Sequence, residues 1–285
     1  MTSTTAAPQA PSSTYTLGHS AFVLASHQQR TIHNSAAFLL PHLAPHFSLL
    51  DVGCGPGTIT AGFADVLFRG TVTGIDLSQD AIDGAIAAQK QHQHQHQQQN
   101  RQNLTFEVGN VLDGLKYPDN SFDVVYTHQT LIHVPHPVKA IMELRRVLKP
   151  GGILATRECT NLQWWPLNPA LELWGVAMQK MMESTGAVGL LNKGALQALV
   201  REAGFDRAKT LVGVGATVFG TKEERKWWSG VGVSRLREGG IGNKWRQSGF
   251  LTDAEIEQVI KALDEWGEAE DGWYVAVQSE ILAWK

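Results

Sequence analysis

The sequence predicts a doubly wound α/β fold, and two observations carry that expectation. Between residues 49 and 155, short and almost wholly apolar runs alternate with helical stretches. This is the pattern of βαβ units around a parallel sheet covered on both faces. The first apolar run ends in three alternating glycines and passes directly into a helical stretch, a strand–turn–helix of the kind found at the carboxyl edge of such a sheet. Composition agrees. Apolar residues form 43% and charged residues 18% of the 285-residue chain, enough for one large packed domain or two small ones and too apolar for disorder.

The elements follow in order. Met1 to Thr14 is Ser/Thr/Ala/Pro-rich and reads as a disordered tail. From Leu17 to about Leu43 the pattern is helical, with apolar positions at Phe22, Leu24, Ile32, Ala36, Leu39 and Leu40. A strand is expected at Leu49–Val52, a helix from Thr58 to Leu67, a strand at Val72–Ile75 and a helix opening at Ser78. Strands at Leu104–Val108 and Val124–Tyr126 come next, then a helix from Val138 to Leu148 and a strand at Ile153–Ala155. The Gln/His tract Gln89–Asn103 reads as a polar loop insertion. Its His92, His94 and His96 are expected to be solvated rather than metal ligands, because nothing fixes them in a ligand geometry.

Beyond residue 160 the character changes: all nine tryptophans lie there, and no histidine lies beyond His136. A helix capped at Asn168, with Pro169 in its first turn, carries Leu171, Trp174, Met178 and Met181 on one face. A helix near Lys193–Glu202, a β-like stretch at Lys209–Val218 and a charged helical segment holding Trp227 and Trp228 follow. The capping box Thr252–Glu255 opens a helix with Ile256, Val259, Ile260 and Leu263 in one stripe. Trp273–Ala283 reads as a closing strand.

Several classes are excluded early. A net charge of −3 argues against a nucleic-acid partner, and no run of 18 apolar residues suggests a membrane span. Two cysteines, Cys54 and Cys159, make no disulfide scaffold. Residues 1–29 lack Lys, Arg, Asp and Glu, unlike a mitochondrial presequence or a signal peptide. A soluble cytoplasmic protein, with no metal and no obligate protein partner, is the default expectation.

The glycine loop, Leu49-Leu-Asp-Val-Gly-Cys-Gly-Pro-Gly-Thr58, decides the ligand class. In the dinucleotide fingerprint Gly-x-Gly-x-x-Gly, the third glycine would fall at Thr58 counted from Gly53, or at Thr60 counted from Gly55. Neither frame fits. Asp51 places a carboxylate where a pyrophosphate would be repelled and an ammonium or sulfonium welcomed. Asp76, ending the second strand, suits a ribose diol, with Leu77 flanking a base. Asn110 and Val111 end the third strand, where amides can read the edge of an adenine. His128 and His133 follow the fourth strand, and ligands of such sheets sit outside these carboxyl ends.

With these residues the chain resembles the class I S-adenosylmethionine-dependent methyltransferases, and within them the ubiquinone/menaquinone-biosynthesis (UbiE-like) group. The matching stretches are LLDVGCGPG, VTGIDLS, Val108–Val111, DNSFDVVYTHQTLIHV and RRVLKPGGILA, across about residues 48–157. The resemblance implies a mostly parallel, seven-stranded Rossmann-like sheet with a helical N-terminal lid and a C-terminal helical cap insertion. It divides the chain into a tail (1–14), a lid (15–47), a cofactor-binding core (48–160) and a cap with the last strands (161–285). It places Asp51, Gly53 and Gly55 around the methionine end of S-adenosylmethionine, Asp76 on the ribose, Asn110 and Val111 at the adenine and His128 beside the sulfonium. Asn110 stands where the family often has Asp. The segment around Tyr15 and Arg30 looks like the lid of secondary-metabolite methyltransferases, which implies that both close over the cofactor, with the guanidinium on its carboxylate. The tryptophan-rich end is similar to fungal enzymes that S-methylate the dithiols of gliotoxin-like epipolythiodioxopiperazines.

Methyl transfer from a sulfonium is an in-line displacement that needs alignment and exclusion of water. His128 and His133 are the candidate general bases, required for a hydroxyl or amine but not for a thiol. Trp164, Trp165, Trp174, Met178 and Met182 are expected to wall an adaptable apolar acceptor pocket. No Asn/Asp-Pro-Pro-Tyr tetrapeptide of the amino-methylating DNA and protein enzymes occurs, which favours a small-molecule acceptor. Its nucleophile is a thiol, or else a phenol oxygen or quinone carbon. Two other functions stay open at this level: a catalytically silent cofactor-binding module and a nicotinamide oxidoreductase, the latter disfavoured by the glycine spacing.

Overall fold

A computed structural model of the chain describes residues 29–96, 102–189, 195–238 and 240–285. Seven strands form one sheet: β1 (Ser48–Val52), β2 (Thr71–Asp76), β3 (Leu104–Val108), β4 (Phe122–His128), β5 (Leu148–Trp165), β6 (Thr210–Phe219) and β7 (Trp273–Trp284). Their order is β3-β2-β1-β4-β5-β7-β6. The first five are parallel, while β7 lies antiparallel between β5 and β6. The doubly wound, mostly parallel seven-stranded sheet is therefore as expected.

The described helices are α1 (Ile32–Ser35), α2 (Thr58–Val66), α3 (Gln79–His96), α4 (Pro137–Val147), α5 (Pro169–Glu183), α6 (Leu196–Glu202), α7 (Lys222–Arg237), α8 (Ile241–Gln247) and α9 (Asp253–Glu268). Their sequence signals act locally. Asn168 accepts from the Ala170 amide ahead of Pro169, and Thr252 and Glu255 complete their capping box. On one face of the sheet, α1 and α2 close a core around Phe63, Leu67 and Tyr126. On the other, α4 and α6 set Ile141, Leu144 and Val200 against Leu50 and Val125. A third core joins α5, α8 and α9 to the far ends of β5 and β7 through Trp174, Trp245, Val259, Trp266 and Tyr274.

Three expectations change. The helical reading from Leu17 to Leu43 gives, within the described residues, only the four-residue α1 and a 3-10 turn at Leu40–His42. Pro41 sits in that turn, with no amide to donate. The Gln/His tract is not all loop, since α3 continues through its first half to His96. Gln and Lys are good helix formers and need no apolar face to extend a helix already nucleated. The side chains of His92, His94 and His96 lie outside the described ones. Finally, β5 does not stop at Ala155. It pairs with β7 from Ile153↔Trp284 to Trp165↔Trp273, through a register shift near Thr160, and so crosses the boundary expected at residue 160. Among the described residues no helix is long and apolar enough to cross a membrane.

The cap core hinges on Trp245, which is fully buried and meets Trp174 edge to face at 5.5 Å. Trp245→Ala is expected to lower stability by about 3–5 kcal/mol, the range for removing a buried tryptophan. Denaturant unfolding measures this. A loss below about 1 kcal/mol would show that the cap helices do not share one core.

Candidate active site

The carboxyl edge of the sheet is organised by the turn after β1. Gly53, Gly55 and Gly57 all have left-handed backbone, with φ of 76°, 52° and 76°, where a side chain is strained. The amides of Gly53 and Cys54 donate to the β2 carbonyl Ile75 O, at 2.8 and 3.0 Å. A Cβ on Gly53 would lie 2.3 Å from Thr130 Oγ1, and one on Gly57 would lie 2.6 Å from the Phe106 ring. A Cβ on Gly55 meets nothing within 4 Å. The outer glycines are held close by protein, and the middle one faces open space.

Asp76 anchors this turn from the next strand. Its Oδ2 accepts from the Gly55 amide at 2.9 Å, and its Oδ1 from the Ser78 amide at 3.0 Å. Leu77 and Val108 stand at the ends of neighbouring strands, where Asp76 and Val108 are register partners, and they are 40% and 48% exposed. Two apolar side chains are thus kept in the open at a polar edge. Sequence reasoning missed Val108, although its place as the last residue of an alternating strand made it identifiable. Asn110 is turned onto its own loop. Its Nδ2 donates to Asp113, and its Oδ1 accepts from the Leu112 amide. Val111 is buried beside it.

Asp51 lies beneath the turn rather than on its surface. It is buried, and Thr60 donates to its Oδ2 at 2.6 Å. Burial outweighs that hydrogen bond and pushes the carboxyl up to about 7, with a smaller upward push from Asp76.

Across the sheet, the two histidines are uncharged. His128 is 7% exposed, and neither ring nitrogen has a hydrogen-bond partner among the described residues. Burial holds its pKa well below the usual histidine range, and the charges of Arg30 and Arg157 lower it further. His133 is pushed down to about 4 by burial and then by Arg30. Arg30 is thus close enough to both histidines for its charge to act on them. Tyr15, its expected companion, lies outside the described residues. Arg157 is buried with its Nε 3.1 Å from Glu280, and its other nitrogens donate to Gln278 Oε1 and the Asn34 carbonyl.

Glu158 also lies at this edge, and sequence reasoning did not single it out. Its buried carboxylate accepts from the amides of Thr130, Leu131 and Ile132 at 3.2, 3.0 and 3.4 Å. Burial raises it to about 7 despite these bonds. The available signal was the charged pair Arg157-Glu158 inside an apolar strand. Of the five side chains expected to wall an acceptor pocket, Trp164, Trp174, Met178 and Met182 are packed inside the cap core, and only Trp165, at 46%, is exposed. Their helical and strand spacing serves the packing of α5 on α9.

Residues 43–207 match a family described as a methyltransferase domain. The chain is 38% identical over 279 residues to "Probable methyltransferase ltbC" of Aspergillus luteorubrus, covering 95% of this chain and 97% of that one. It is 28% identical to an uncharacterized methyltransferase of Schizosaccharomyces pombe, covering 94% and 95%. Among solved structures, the YcgJ protein of Bacillus subtilis superposes with a TM-score of 0.58 at 16% identity, covering 89% of this chain and 98% of that one.

The Asp51 carboxyl makes stability depend on pH. Its folded pKa lies near 7 against 3.8 otherwise, so folding takes up a proton between these values. Its contribution is full below about pH 4 and is lost as pH rises through 7. Asp51→Asn is expected to gain in unfolding midpoint relative to the parent as pH rises from about 5 to about 8. Parallel midpoint curves would show that Asp51 is ionised throughout.

Proposed function

Since the chain belongs to the class I S-adenosylmethionine-dependent methyltransferases, we propose that it methylates a small hydrophobic thiol or dithiol of secondary metabolism. Within the family we assign it to the UbiE-like group, with an acceptor chemistry akin to that of the gliotoxin-type S-methyltransferases. When bound, the cofactor supplies a methyl carbon already activated by a positive sulfur. The residues present fit it. Gly55 leaves open the space a Cβ would fill, Asp76 presents a carboxylate at the β2 exit for the ribose hydroxyls, and Leu77 and Val108 offer an apolar slot for the adenine. The Val111 backbone reads the base edge, and Arg30 takes the carboxylate. Residues 48–160 serve as the cofactor core and 161–285 as the acceptor side, with the 15–47 segment closing over both.

The acceptor reading rests on one observation, the two uncharged histidines at the end of β4. A base whose conjugate acid ionises near 4 faces a mismatch of about six powers of ten against a phenol of pKa about 10. A thiol, at about 8.5, reaches its anion near neutral pH without such help. Arg30 and Arg157 add to burial in disfavouring a protonated His128, which suits an acceptor that brings its own anion. The protein then has to align the nucleophile, hold off water and let charge cancel as the bond forms.

Two outcomes are expected. Asp76→Ala should weaken S-adenosylmethionine binding at least tenfold in calorimetry, since hydrogen bonds to a charged group are worth about 1.5–3 kcal/mol. Gly55→Val should weaken it further. An affinity within twofold of the parent in both variants would remove the glycine loop from the site. In a mass-spectrometric panel of thiols, phenols and quinones, small hydrophobic thiols should be the best acceptors, with His128→Ala lowering their turnover less than tenfold. Ready methylation of phenols or quinone carbons with every thiol untouched would overturn the thiol reading and leave methyl transfer standing.

A further inference from the structure

We propose that Glu158 is a positioning residue for cofactor binding: it locks the turn after β4, and through Thr130 it holds the glycine loop in its binding shape. The turn is otherwise poorly provided for. The 3-10 segment Leu131–His133 has no side-chain cap of its own, and its leading amides point inward. Glu158, on a different strand, accepts from three successive amides, Thr130 and Leu131 on Oε1 and Ile132 on Oε2. Such a concavity of successive amides binds anions, and here the chain fills it with its own carboxylate. The hydroxyls of Thr127 and Thr156, bonded to each other at 2.7 Å, both lie 3.4 Å from Oε1. A buried carboxylate is costly to desolvate unless such donors surround it, and this one is 2% exposed.

The second link is steric. Thr130 Oγ1 donates to the His128 carbonyl at 3.3 Å, which fixes its rotamer over Gly53. The hydroxyl and methyl of Thr130 then occupy the volume a Gly53 Cβ would need, at 2.3 and 2.6 Å. The turn and the glycine loop are thus in direct contact, and a shifted turn moves the first residue of the loop. Ile132, the last of the three residues whose amides Glu158 holds, packs into the cap core with Trp164 and Trp174. One carboxylate therefore stands where the cofactor loop, the histidine-bearing turn and the cap meet. Glu158 touches none of the reacting groups; it acts through Thr130 and the turn.

The inference rests on the glycine loop being the cofactor site, and the test separates the two. Glu158→Gln keeps size and shape but turns an amide donor toward the backbone donors. Thr130→Ala removes the contact with Gly53. Calorimetric S-adenosylmethionine affinity is measured for both single variants, for the double variant and for Asp76→Ala, each checked for folding by its unfolding midpoint. Glu158→Gln is expected to weaken binding about tenfold and Thr130→Ala severalfold, with the double variant little worse than Glu158→Gln alone. Hydrogen exchange should quicken together at residues 53–57 and 130–132. Independent, multiplying losses would overturn the proposal, as would an affinity within twofold in a folded Glu158→Gln. If Glu158→Gln does not fold, Glu158→Asp, which keeps the charge at shorter reach, takes its place in the same cycle, and the same results support or overturn the proposal. If Asp76→Ala also binds normally, the failure belongs to the loop assignment instead.

Discussion

Backbone amides at the carboxyl edge of a parallel sheet need acceptors, because no further strand continues there to supply them. The edge solves this with side chains and with backbone carbonyls of neighbouring strands. Ile75 O takes the Gly53 and Cys54 amides, Asp76 takes those of Gly55 and Ser78, and Glu158 takes those of Thr130 to Ile132. The glycine loop is thereby pinned from β2 on one side and packed by the β4 turn on the other. This gives the Gly-x-Gly-x-Gly spacing a physical meaning. Gly53 and Gly57 are required because Thr130 and Phe106 leave no room for a Cβ, whereas Gly55, with nothing within 4 Å of a Cβ, is favoured by its left-handed φ of 52°.

The second organising feature is β7. Being antiparallel to both neighbours, it lets β5 continue as a ribbon past Arg157, its last partner position with β4. The ribbon carries Trp164 and Tyr274 out to the cap, where they meet at 4.5 Å and Trp164 meets Trp266 edge to face at 4.8 Å. Trp164, Trp174, Trp245 and Trp266 are thus the filling of one helical layer built on the extended strands. The same ribbon carries Glu158 at its base, so that the cap and the carboxyl edge share a strand.

Where apolar period and turn chemistry act locally, the sequence was legible. The strands β1 to β4, the Asn168 and Thr252 caps and the buried stripe of α9 follow from short-range signals. The limits of β5 did not. Thr156, Arg157 and Glu158 are polar yet buried, because their partners come from residues more than a hundred positions away or from the neighbouring strand β4 and its turn. Such pairing leaves no local trace. For the same reason Asp51 and Asp76 could be singled out by position, but Thr60 and Thr130 could not. The aromatic and methionine positions of α5 show the converse: a stripe at helical spacing reads alike whether it faces a ligand or a core, and here it faces a core.

Burial sets the charge state of this edge before any ligand arrives. It raises Asp51 and Glu158 to about 7 and takes His128 and His133 out of their charged forms. Arg30 and the Glu280-paired Arg157 bring charge near the end of β4, while Asp51 under the glycine loop is poised between its two forms. A cation brought beside the loop favours the ionised carboxyl and lowers its pKa, so part of the attraction is spent in releasing a proton. The same cation beside His128 would face an imidazole with no proton to repel it. A neutral histidine on one side and an ionisable acid on the other therefore let the edge accept a positive group without an unpaired buried charge remaining once that group has left.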